Sequence, residues 1–587
     1  MEIISIQAPT RKQRCFLPAD YRISDWQSLQ FYCNQLLSRP INSLQDLHQL
    51  LLDQDELDCM LGEYVRRLNI SITCDTTNKK AQDEYENYLK NINPQVSPYY
   101  HKMGQKILES PFAPQLPQDQ YAVYLRSIKK SQEIFRAENI PLFMEMSLKQ
   151  KEYNNIVGAM AVYIDGQEET LQQAHRHFTN PDRDKRQRAF EAIAQCRVNA
   201  KDQLNQLFDE LIALRHQCAL NANYDNFRDF KFASMGRFDY TPSDCLDFHE
   251  AIAHEIVPLA GKILKRHQQQ LNLDTLRPWD KDVDPTENSM VLPFQNTTEL
   301  IEKSMKCLRD VKTEFGDYLQ IMHQMGHLDL DSRKGKAPGG YNTSLPETNV
   351  PFIFMNAVGL AQDIRTMLHE AGHAIHAFLE TDLEIAAFKS PPSEVTELAS
   401  MSMELISMEH WSVFFPNTEE LRRAKIKQLE KIILSLPSLA LGDHFQHWVY
   451  LHPTHTHEER ANKWQSLMQR FSSFVIDWSG YEEYRNVSWQ QVLHFYQVPF
   501  YYIEYAMAQL GAIAIWKAYR ENPQQALQNY INALKLGYTR PIGEIYAAAG
   551  IRFDFTQGYV RELAQFLMTE LENLYQQNDQ ATQARNN

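Results

Sequence analysis

The chain has 587 residues, of which 43% are hydrophobic and 23% are charged. This is the composition of an ordinary folded protein that can bury a large core. The net charge of -15 at pH 7 argues against nucleic acids and anionic membrane surfaces as partners, and it leaves small or basic substrates open. The eight cysteines are scattered without a C-x-x-C pair, which favours reduced, buried thiols over a disulfide framework or a zinc finger.

The amino terminus and the apolar segments indicate in which cellular compartment the protein is expected. Residues 1–18 lack the succession of charged, apolar and small residues that is typical of a signal peptide. The longest apolar run, at 506–516, is too short to span a membrane. We therefore expect a cytoplasmic protein that binds neither nucleic acid nor membranes.

Helices are predicted for most of the chain. Apolar residues recur at intervals of three and four, with charges between them, at 120–138, 181–220, 243–272 and 298–325. One region breaks this pattern, with a glycine turn at 335–341 and then a short apolar strand at 352–356. The sequence therefore predicts a mainly α protein with one small β-sheet. The sheet comes directly before one further helix in the chain and lies beside it.

That further helix carries an H-E-x-x-H motif, from His369 to His373. Residues four apart project from one face of a helix, so His369 and His373 can hold one Zn²⁺ between them. Glu370 lies one step round the helix, where it can take a proton from a zinc-bound water. A chance match on a polar helix is the alternative, so a third ligand is needed to support the motif.

The third ligand cannot follow the metzincin pattern H-E-x-x-H-x-x-G-x-x-H. His376 and Leu379 occupy the positions of its glycine and its last histidine. A carboxylate from the next predicted helix is the remaining source, and Glu394 and Glu397 share one face of that helix. The spacing alone does not choose between them. His376 lies a turn beyond His373, too far along the axis to join the same tetrahedral site, and is predicted to hydrogen-bond to the ligands.

Three further segments have both a functional and an ordinary interpretation. The strand at 352–356 could be an edge strand that pairs with extended substrate backbone, or a plain core strand. The aromatic segment 494–505 would by itself be interpreted as core. Three histidines at 452, 455 and 457 suggest a second metal site, but their sequence context favours a loop and a helix start.

The combination H-E-A-G-H-A-I-H and then P-S-E-V-T-E resembles the thimet-oligopeptidase family of zinc peptidases, and within it the oligoendopeptidase F branch. The segments 224–230, 339–341, 352–357 and 494–505 agree with this resemblance. It is strong over about 190–564 and rests only on helical character and length before that.

The resemblance implies an elongated helical body with a deep substrate channel and one buried Zn²⁺ per chain. Carried over residue by residue, it makes His369, His373 and Glu397 the metal ligands and Glu370 the general base. Glu394 then supports the ligands or is structural.

The resemblance also implies residues that act on the substrate. His494 precedes a Y-x-x-Y pair, Tyr502 and Tyr505, of which the second tyrosine donates to the oxyanion, and Tyr501 could exchange roles with Tyr502. The substrate-binding residues are predicted around the glycine turn and the strand: Gly339, Gly340, Tyr341, Phe354, Met355 and Asn356.

The sequence thus predicts a zinc-dependent endopeptidase for short, unfolded oligopeptides, as a monomer or a weak homo-oligomer. The predicted division is an N-terminal helical region covering the channel at 1–189, a catalytic region at 190–564, and a C-terminal helix end with a polar tail at 565–587. One rival is a zinc carboxypeptidase or peptidyl-dipeptidase of the same helical clan. The other is a non-catalytic peptide-binding or structural zinc protein, against which the intact Glu370 argues because a structural site needs no base.

Overall fold

The computed structural model describes residues 8–9, 13–284 and 292–586, with side chains up to residue 576. The predictions for the amino terminus and for the polar tail therefore fall partly outside the described residues. The chain forms two compact units. The first consists of Met1–Phe135, Val291–Lys425 and Ala508–Phe553, and the second of Arg136–Met290, Ile426–Met507 and Asp554–Asn587.

Both units are mainly helical, which confirms the predicted fold class. The helices of the first half of the chain are α1 (Trp26–Ser38), α2 (Leu44–Cys74), α3 (Lys79–Asn87), α4 (Asn93–Glu109), α5 (Gln118–Ile134), α6 (Asn139–Gly158), α7 (Leu171–His175), α8 (Arg183–Asn199), α9 (Lys201–Asn221), α10 (Phe227–Ser234), α11 (Pro242–Glu255) and α12 (Val257–Gln270). Those of the second half are α13 (Thr297–Val311), α14 (Thr313–Gln324), α15 (Ala361–Leu379), α16 (Ser393–Ser407), α17 (Thr418–Leu451), α18 (His457–Arg470), α19 (Glu482–Val487), α20 (Leu493–Gln497), α21 (Tyr502–Glu521), α22 (Pro523–Leu534), α23 (Ile542–Ala548) and α24 (Gln557–Asn586).

Side-chain caps define where many of these helices begin. Asp25 accepts a hydrogen bond from the Ser28 amide at the start of α1, and Ser43 accepts one from the Asp46 amide at the start of α2. Three of the predicted helical segments are each divided into two helices, at Ala200, Ile256 and Lys312. Periodicity alone continues across such breaks, because both helices bury an apolar face.

Two small sheets accompany the helices. In the second unit, β1 (Ala161–Ile164) and β2 (Gln167–Thr170) form an antiparallel hairpin whose turn residues, Asp165 and Gly166, have φ values of 51° and 82°. In the first unit, β3 (Leu328–Asp331), β4 (Tyr341–Thr343) and β5 (Phe352–Ala357) form a sheet in the order β3-β5-β4. This second sheet packs against α15, as predicted.

The prediction that residues 352–356 form an edge strand is wrong. β5 is the central strand, parallel to β3 on one side and antiparallel to β4 on the other. The physical reason is its sequence: Phe352, Ile353, Phe354 and Met355 form a continuous apolar run that is buried, as in a strand paired on both sides. Of the described strands in this sheet, β3 and β4 form the edges.

Among the residues that the structure describes, no helix is both long enough and apolar enough to cross a bilayer.

Candidate metal centre and active site

Helix α15 presents the two motif histidines on one face. Asp363 fixes the start of this helix, because its carboxylate accepts hydrogen bonds from the amides of Val358 (2.8 Å) and Leu360 (2.9 Å). The rings of His369 and His373 stand 4.9 Å apart at 85°. Both side chains are partly buried, with 21% and 18% of their surface exposed, so both can bind a ligand.

Helix α16 brings a carboxylate to the same point. Glu397 Oε2 lies 3.4 Å from His369 Nε2 and 3.8 Å from His373 Nε2. One ligand atom from each of these three residues lies within 4.8 Å of the other two. Two imidazoles and one carboxylate are a donor set that suits Zn²⁺ and leaves a fourth position open.

Gly372 makes this close approach possible. It lies inside α15, between the two histidines, where a Cβ atom would come within 2.6 Å of Ser400 Cα and 2.9 Å of the Ala399 carbonyl oxygen in α16. These are backbone atoms that cannot move without shifting the helix. The glycine of H-E-A-G-H therefore sets the distance between the two ligand-bearing helices.

Glu404 also belongs to this site, although it was not predicted from the sequence. His369 Nδ1 donates a hydrogen bond of 2.7 Å to Glu404 Oε1, because an ionised carboxylate can only accept. This bond directs Nε2 toward the ligand position, in the arrangement by which carboxylates commonly orient metal-binding histidines. The available signal was spacing: Glu404 follows Glu397 by seven residues, which places both on one face of α16.

Glu397 is further held by Ser400, whose hydroxyl donates to Glu397 Oε2 at 3.1 Å. Burial acts to raise the pKa of Glu397, but the hydrogen bond from His369 and the charges of the two histidines outweigh it and lower the pKa to about 2. The carboxylate is therefore charged at neutral pH, which is the form that binds a metal ion.

The two histidines have different electrostatic surroundings. Burial lowers the pKa of His373 to about 4, so that its ring is neutral at pH 7. Burial also acts to lower the pKa of His369, but the hydrogen bonds to Glu397 and Glu404 outweigh it and hold that pKa well above the ordinary value. A cation between these groups would take the place of that proton.

Glu370 is buried beside the three ligand side chains. Burial raises the pKa of its carboxyl group to about 7, and the charges of Glu397 and Glu404 act in the same direction. Its backbone carbonyl accepts a 3.3 Å hydrogen bond from Asn342 Nδ2 of β4, so the sheet is joined to α15 at this residue. A carboxyl group with a pKa near neutrality can both accept and return a proton.

The two residues predicted to support the ligands, His376 and Glu394, lie on the same two helices. His376 is buried and its Nε2 atom lies 3.1 Å from Glu380 Oε1. Glu394 is buried one turn before Glu397 on α16, and its backbone carbonyl accepts a 3.0 Å hydrogen bond from Tyr546. A direct supporting role toward the ligands stays a prediction for both residues.

The residues predicted to bind substrate are brought together around β4 and β5. Tyr341 stacks on Phe354 with ring centres 4.9 Å apart, and Asn356 donates to the carbonyl oxygens of Ala337 and Gly339 at 2.9 Å. Phe354 and Met355 are fully buried. Gly339 has a φ of 97°, which a residue with a side chain rarely adopts.

In the second unit, His494 lies in ring contact with three tyrosines. Its ring centre is 5.0 Å from that of Tyr502 and 5.9 Å from those of Tyr501 and Tyr505. Burial raises the pKa of Tyr502 to about 12, so that its hydroxyl stays protonated. Gly442 of α17 makes room for this ring: a Cβ atom there would lie 2.6 Å from Tyr502 Cδ1.

The segment that carries these rings is held by buried arginines. Arg237 donates to the Phe500 carbonyl oxygen and, at 2.7 Å, to Glu504 Oε1, and Arg215 donates at 2.9 Å to the Phe495 carbonyl oxygen. Phe500 has a φ of 68°, a strained conformation for a residue with a side chain. Strain of this kind persists only where the surroundings fix the backbone, as these hydrogen bonds do.

The three histidines at 452–457 do not converge. His452 Nδ1 bonds to the Trp448 carbonyl oxygen, His455 Nε2 accepts from Arg460 at 2.8 Å, and His457 Nε2 lies 2.6 Å from Asp209 Oδ2. Thr456 caps α18 in a capping box with Glu459, which confirms the predicted helix start.

The fold and this site together define a helical protein whose H-E-x-x-H helix is paired with a glutamate-bearing helix. Comparison with known families agrees: the model of Peptidase family M3 matches residues 176–565, and that of the Peptidase M3 N-terminal domain matches residues 16–135. The chain therefore belongs to Peptidase family M3.

Individual relatives point to the oligoendopeptidase F branch. The chain is 24% identical over 291 residues to an oligoendopeptidase F homolog of Borreliella burgdorferi, covering 48% of each chain. It is 22% identical over 353 residues to the chromosomal oligoendopeptidase F of Lactococcus lactis subsp. cremoris, covering 57% of this chain and 54% of the relative. The matched region thus spans about half the length of these curated relatives.

Among solved structures, PZ peptidase A with an inhibitor is similar over a longer region. It superposes with a TM-score of 0.88 at 26% identity and covers 94% of this chain and 99% of its own. The resemblance predicted from the sequence is thereby confirmed.

Proposed function

We propose that the protein is a zinc-dependent endopeptidase that hydrolyses short, unfolded peptides in the cytoplasm. The observation that carries this proposal is the convergence of His369, His373 and Glu397 beside a fourth residue, Glu370, whose pKa burial raises to about 7. A purely structural metal site would need the three ligands and no such base.

The residues fit a zinc ion by their chemistry. Glu397 is charged and His373 is neutral, which are the states that a metal requires of its ligands. His369 is oriented by Glu404 and would give up the proton on Nε2 to the incoming ion. When bound, zinc would act as a Lewis acid and lower the pKa of a coordinated water toward about 7. We propose one such ion at this site.

Glu370 then performs the proton transfers. It accepts a proton from the attacking water and returns it to the leaving amine, and a pKa near neutrality suits both steps. Its burial keeps bulk water from competing for the proton. The hydrogen bond from Asn342 to the Glu370 carbonyl oxygen supports a fixed position for this residue relative to β4.

Tyr505 is proposed as the donor to the oxyanion, with Tyr502 and His494 positioning the substrate. The family resemblance assigns these roles, and the ring contacts of His494 with both tyrosines support a single functional cluster. Tyr501, which contacts the ring of Tyr505 at 4.8 Å, is the alternative partner. A phenol that reaches only the displaced oxygen stabilises the transition state selectively.

The substrate backbone is proposed to pair with β4 rather than with β5, since β5 already has a strand on each side. Among the described strands, β4 pairs only with β5, so its outer edge can accept an extended peptide. Gly339, Gly340 and Tyr341 lead into this edge. Phe354, Met355 and Asn356 would then support the binding edge from behind.

The remaining predictions stay proposals. These are the division at residues 189 and 564, the monomeric or weakly associated state, and the absence of nucleic acid and membrane partners. The exopeptidase alternative is tested with a peptide blocked at both ends: internal cleavage supports an endopeptidase, and its absence combined with cleavage of the unblocked peptide supports an exopeptidase.

The proposed mechanism is tested by Glu370→Gln. The amide keeps the shape of the side chain and leaves the three ligands in place, but it cannot accept the proton. We expect kcat to fall by about 10²–10⁴, with the zinc content unchanged by elemental analysis. Near-normal turnover in the metal-loaded variant would contradict the role of Glu370.

A further inference from the structure

The second unit contains a buried group of metal-ligating side chains that the proposed mechanism does not use. Cys245 and His249 lie on α11, and Asp443 and His447 lie one turn apart on α17. Their exposed fractions are 0% for the first three and 2% for His447. Such side chains are rarely buried together without a ligand or a complete hydrogen-bond network.

The ligand atoms of three of these residues converge. Atoms of Cys245, Asp443 and His447 lie within 4.8 Å of one another. Asp443 Oδ2 is 3.2 Å from His447 Nε2 and 3.0 Å from His249 Nε2. This is the same criterion of convergence that His369, His373 and Glu397 satisfy in the first unit.

The hydrogen bonds within the group are incomplete. The His249 contact with Asp443 has the geometry of a hydrogen bond, but the His447 contact does not. Among the described residues, neither ring nitrogen of His447 has a hydrogen-bond partner, and Asp443 Oδ1 has none either. Burying polar atoms without partners costs free energy, and an ion bound between them would remove that cost.

We propose that Cys245, Asp443 and His447 provide three ligands to a Zn²⁺ ion that links α11 to α17, with His249 orienting Asp443. A thiolate, an imidazole and a carboxylate are all zinc ligands, whereas Mg²⁺ and Ca²⁺ take oxygen ligands and do not favour sulfur. Cys245 is not part of a disulfide. It would lose its proton to solvent as the metal binds, because the thiolate is the ligating form.

An ion here would stabilise the helix that supports the aromatic cluster. Gly442, next to Asp443, lies against the Tyr502 ring, and Gln446, next to His447, accepts a 3.0 Å hydrogen bond from the Phe500 amide. By fixing α11 to α17, the metal would hold the part of α17 against which Tyr502 packs.

Cobalt substitution tests this site separately from the proposed active site. The metal-free protein is loaded with Co²⁺, and its near-ultraviolet spectrum is searched for a thiolate-to-cobalt charge-transfer band. Because His369, His373 and Glu397 contain no sulfur, that band reports only a cysteine ligand. We expect the band in the unmodified protein and its loss in Cys245→Ser. The matched control Cys218→Ser, a buried thiol of α9 outside the group, should keep it.

Metal content provides the second measurement. We expect two zinc ions per unmodified chain, one in Cys245→Ser, and one in a His369→Ala, His373→Ala double variant. A protein without the charge-transfer band, or a double variant that holds no zinc, would overturn the second site. Neither result would bear on the proposed peptidase activity, which is measured with the unmodified protein.

Discussion

At the scale of single residues, the candidate metal site depends on how the His369 ring is held. Its Nδ1 atom donates to Glu404, so the proton that a metal ion would displace is the one on Nε2, which faces Glu397 and His373. Without that bond the ring could turn away, and the conformational entropy lost in fixing it would weaken metal binding. We therefore expect Glu404 to contribute to metal affinity, although it is not one of the three proposed ligands.

Glu404→Ala is therefore expected to weaken zinc binding by about 10–100-fold, as measured by competition with a chelator of known affinity. Glu404→Gln keeps an acceptor oxygen and should weaken zinc binding less. The control is Glu409→Ala, an acidic residue of the same unit whose carboxylate contacts Lys425 and Arg520 instead. Unchanged zinc affinity in Glu404→Ala would show that His369 is oriented by other contacts.

The aromatic cluster provides a second test at this scale. Tyr505→Phe removes one hydroxyl and is expected to lower kcat by about 10²–10³, with little change in KM and unchanged zinc content. Tyr502→Phe should have a smaller effect, and His494→Ala should fall between the two. If Tyr505→Phe is neutral while Tyr502→Phe abolishes turnover, then Tyr502 is the donor.

At the scale of elements, the site depends on the close approach of α15 and α16. Gly372→Ala would force a methyl group against Ser400 Cα and the Ala399 carbonyl oxygen, which cannot give way without separating the helices. We expect weaker zinc binding and a loss of about 1–3 kcal/mol in the free energy of unfolding, measured by chelator competition and denaturant titration.

The matched control for Gly372 is Gly543→Ala in α23, where a new Cβ atom meets nothing within 4 Å. That substitution should leave zinc binding unchanged and stabilise the protein by about 0.4–1 kcal/mol, because alanine has less conformational freedom in the unfolded chain. Equal effects of the two substitutions would show that helix propensity, and not the approach of α16, determines the result.

The helices and the convergence of the candidate ligands could be predicted from the sequence because their signals are local. The 3.6-residue period and the caps indicate α15 and α16, and the spacing of His369 and His373 places both on one face. The spacing of Glu404 from Glu397 places it on the same face of α16, but spacing does not reveal that its partner is His369 on another helix. The choice of Glu397 over Glu394 came from the resemblance, and the structure brings Glu397 to the histidines.

The strands were harder to predict. An apolar run such as Phe352–Ala357 indicates burial but does not say how many neighbours a strand has, because the pairing partners β3 and β4 are set by tertiary contacts. The β1–β2 hairpin was not predicted, although its Asp165-Gly166 turn is a strong local signal. The segments on either side are helical, and the hairpin is too short to interrupt their pattern clearly.

At the scale of the whole molecule, the relatives agree on the family while sequence identity stays near 25%. The similarity to PZ peptidase A extends over 94% of this chain, whereas the matched region of the curated relatives is about half their length.

The length of β4 limits which substrates can bind beside it. β4 has only three residues, so a substrate must offer a short extended backbone whose amide and carbonyl groups are free to pair. A folded protein cannot present one, because its backbone groups are already bonded internally. We expect a flexible peptide blocked at both ends to be cut internally, and a native globular protein that contains the same segment to resist cleavage. Mass spectrometry of the products, with a chelator-treated sample as the metal-free control, measures both. Cleavage of the native protein at a rate like that of the peptide would contradict this account of substrate selection.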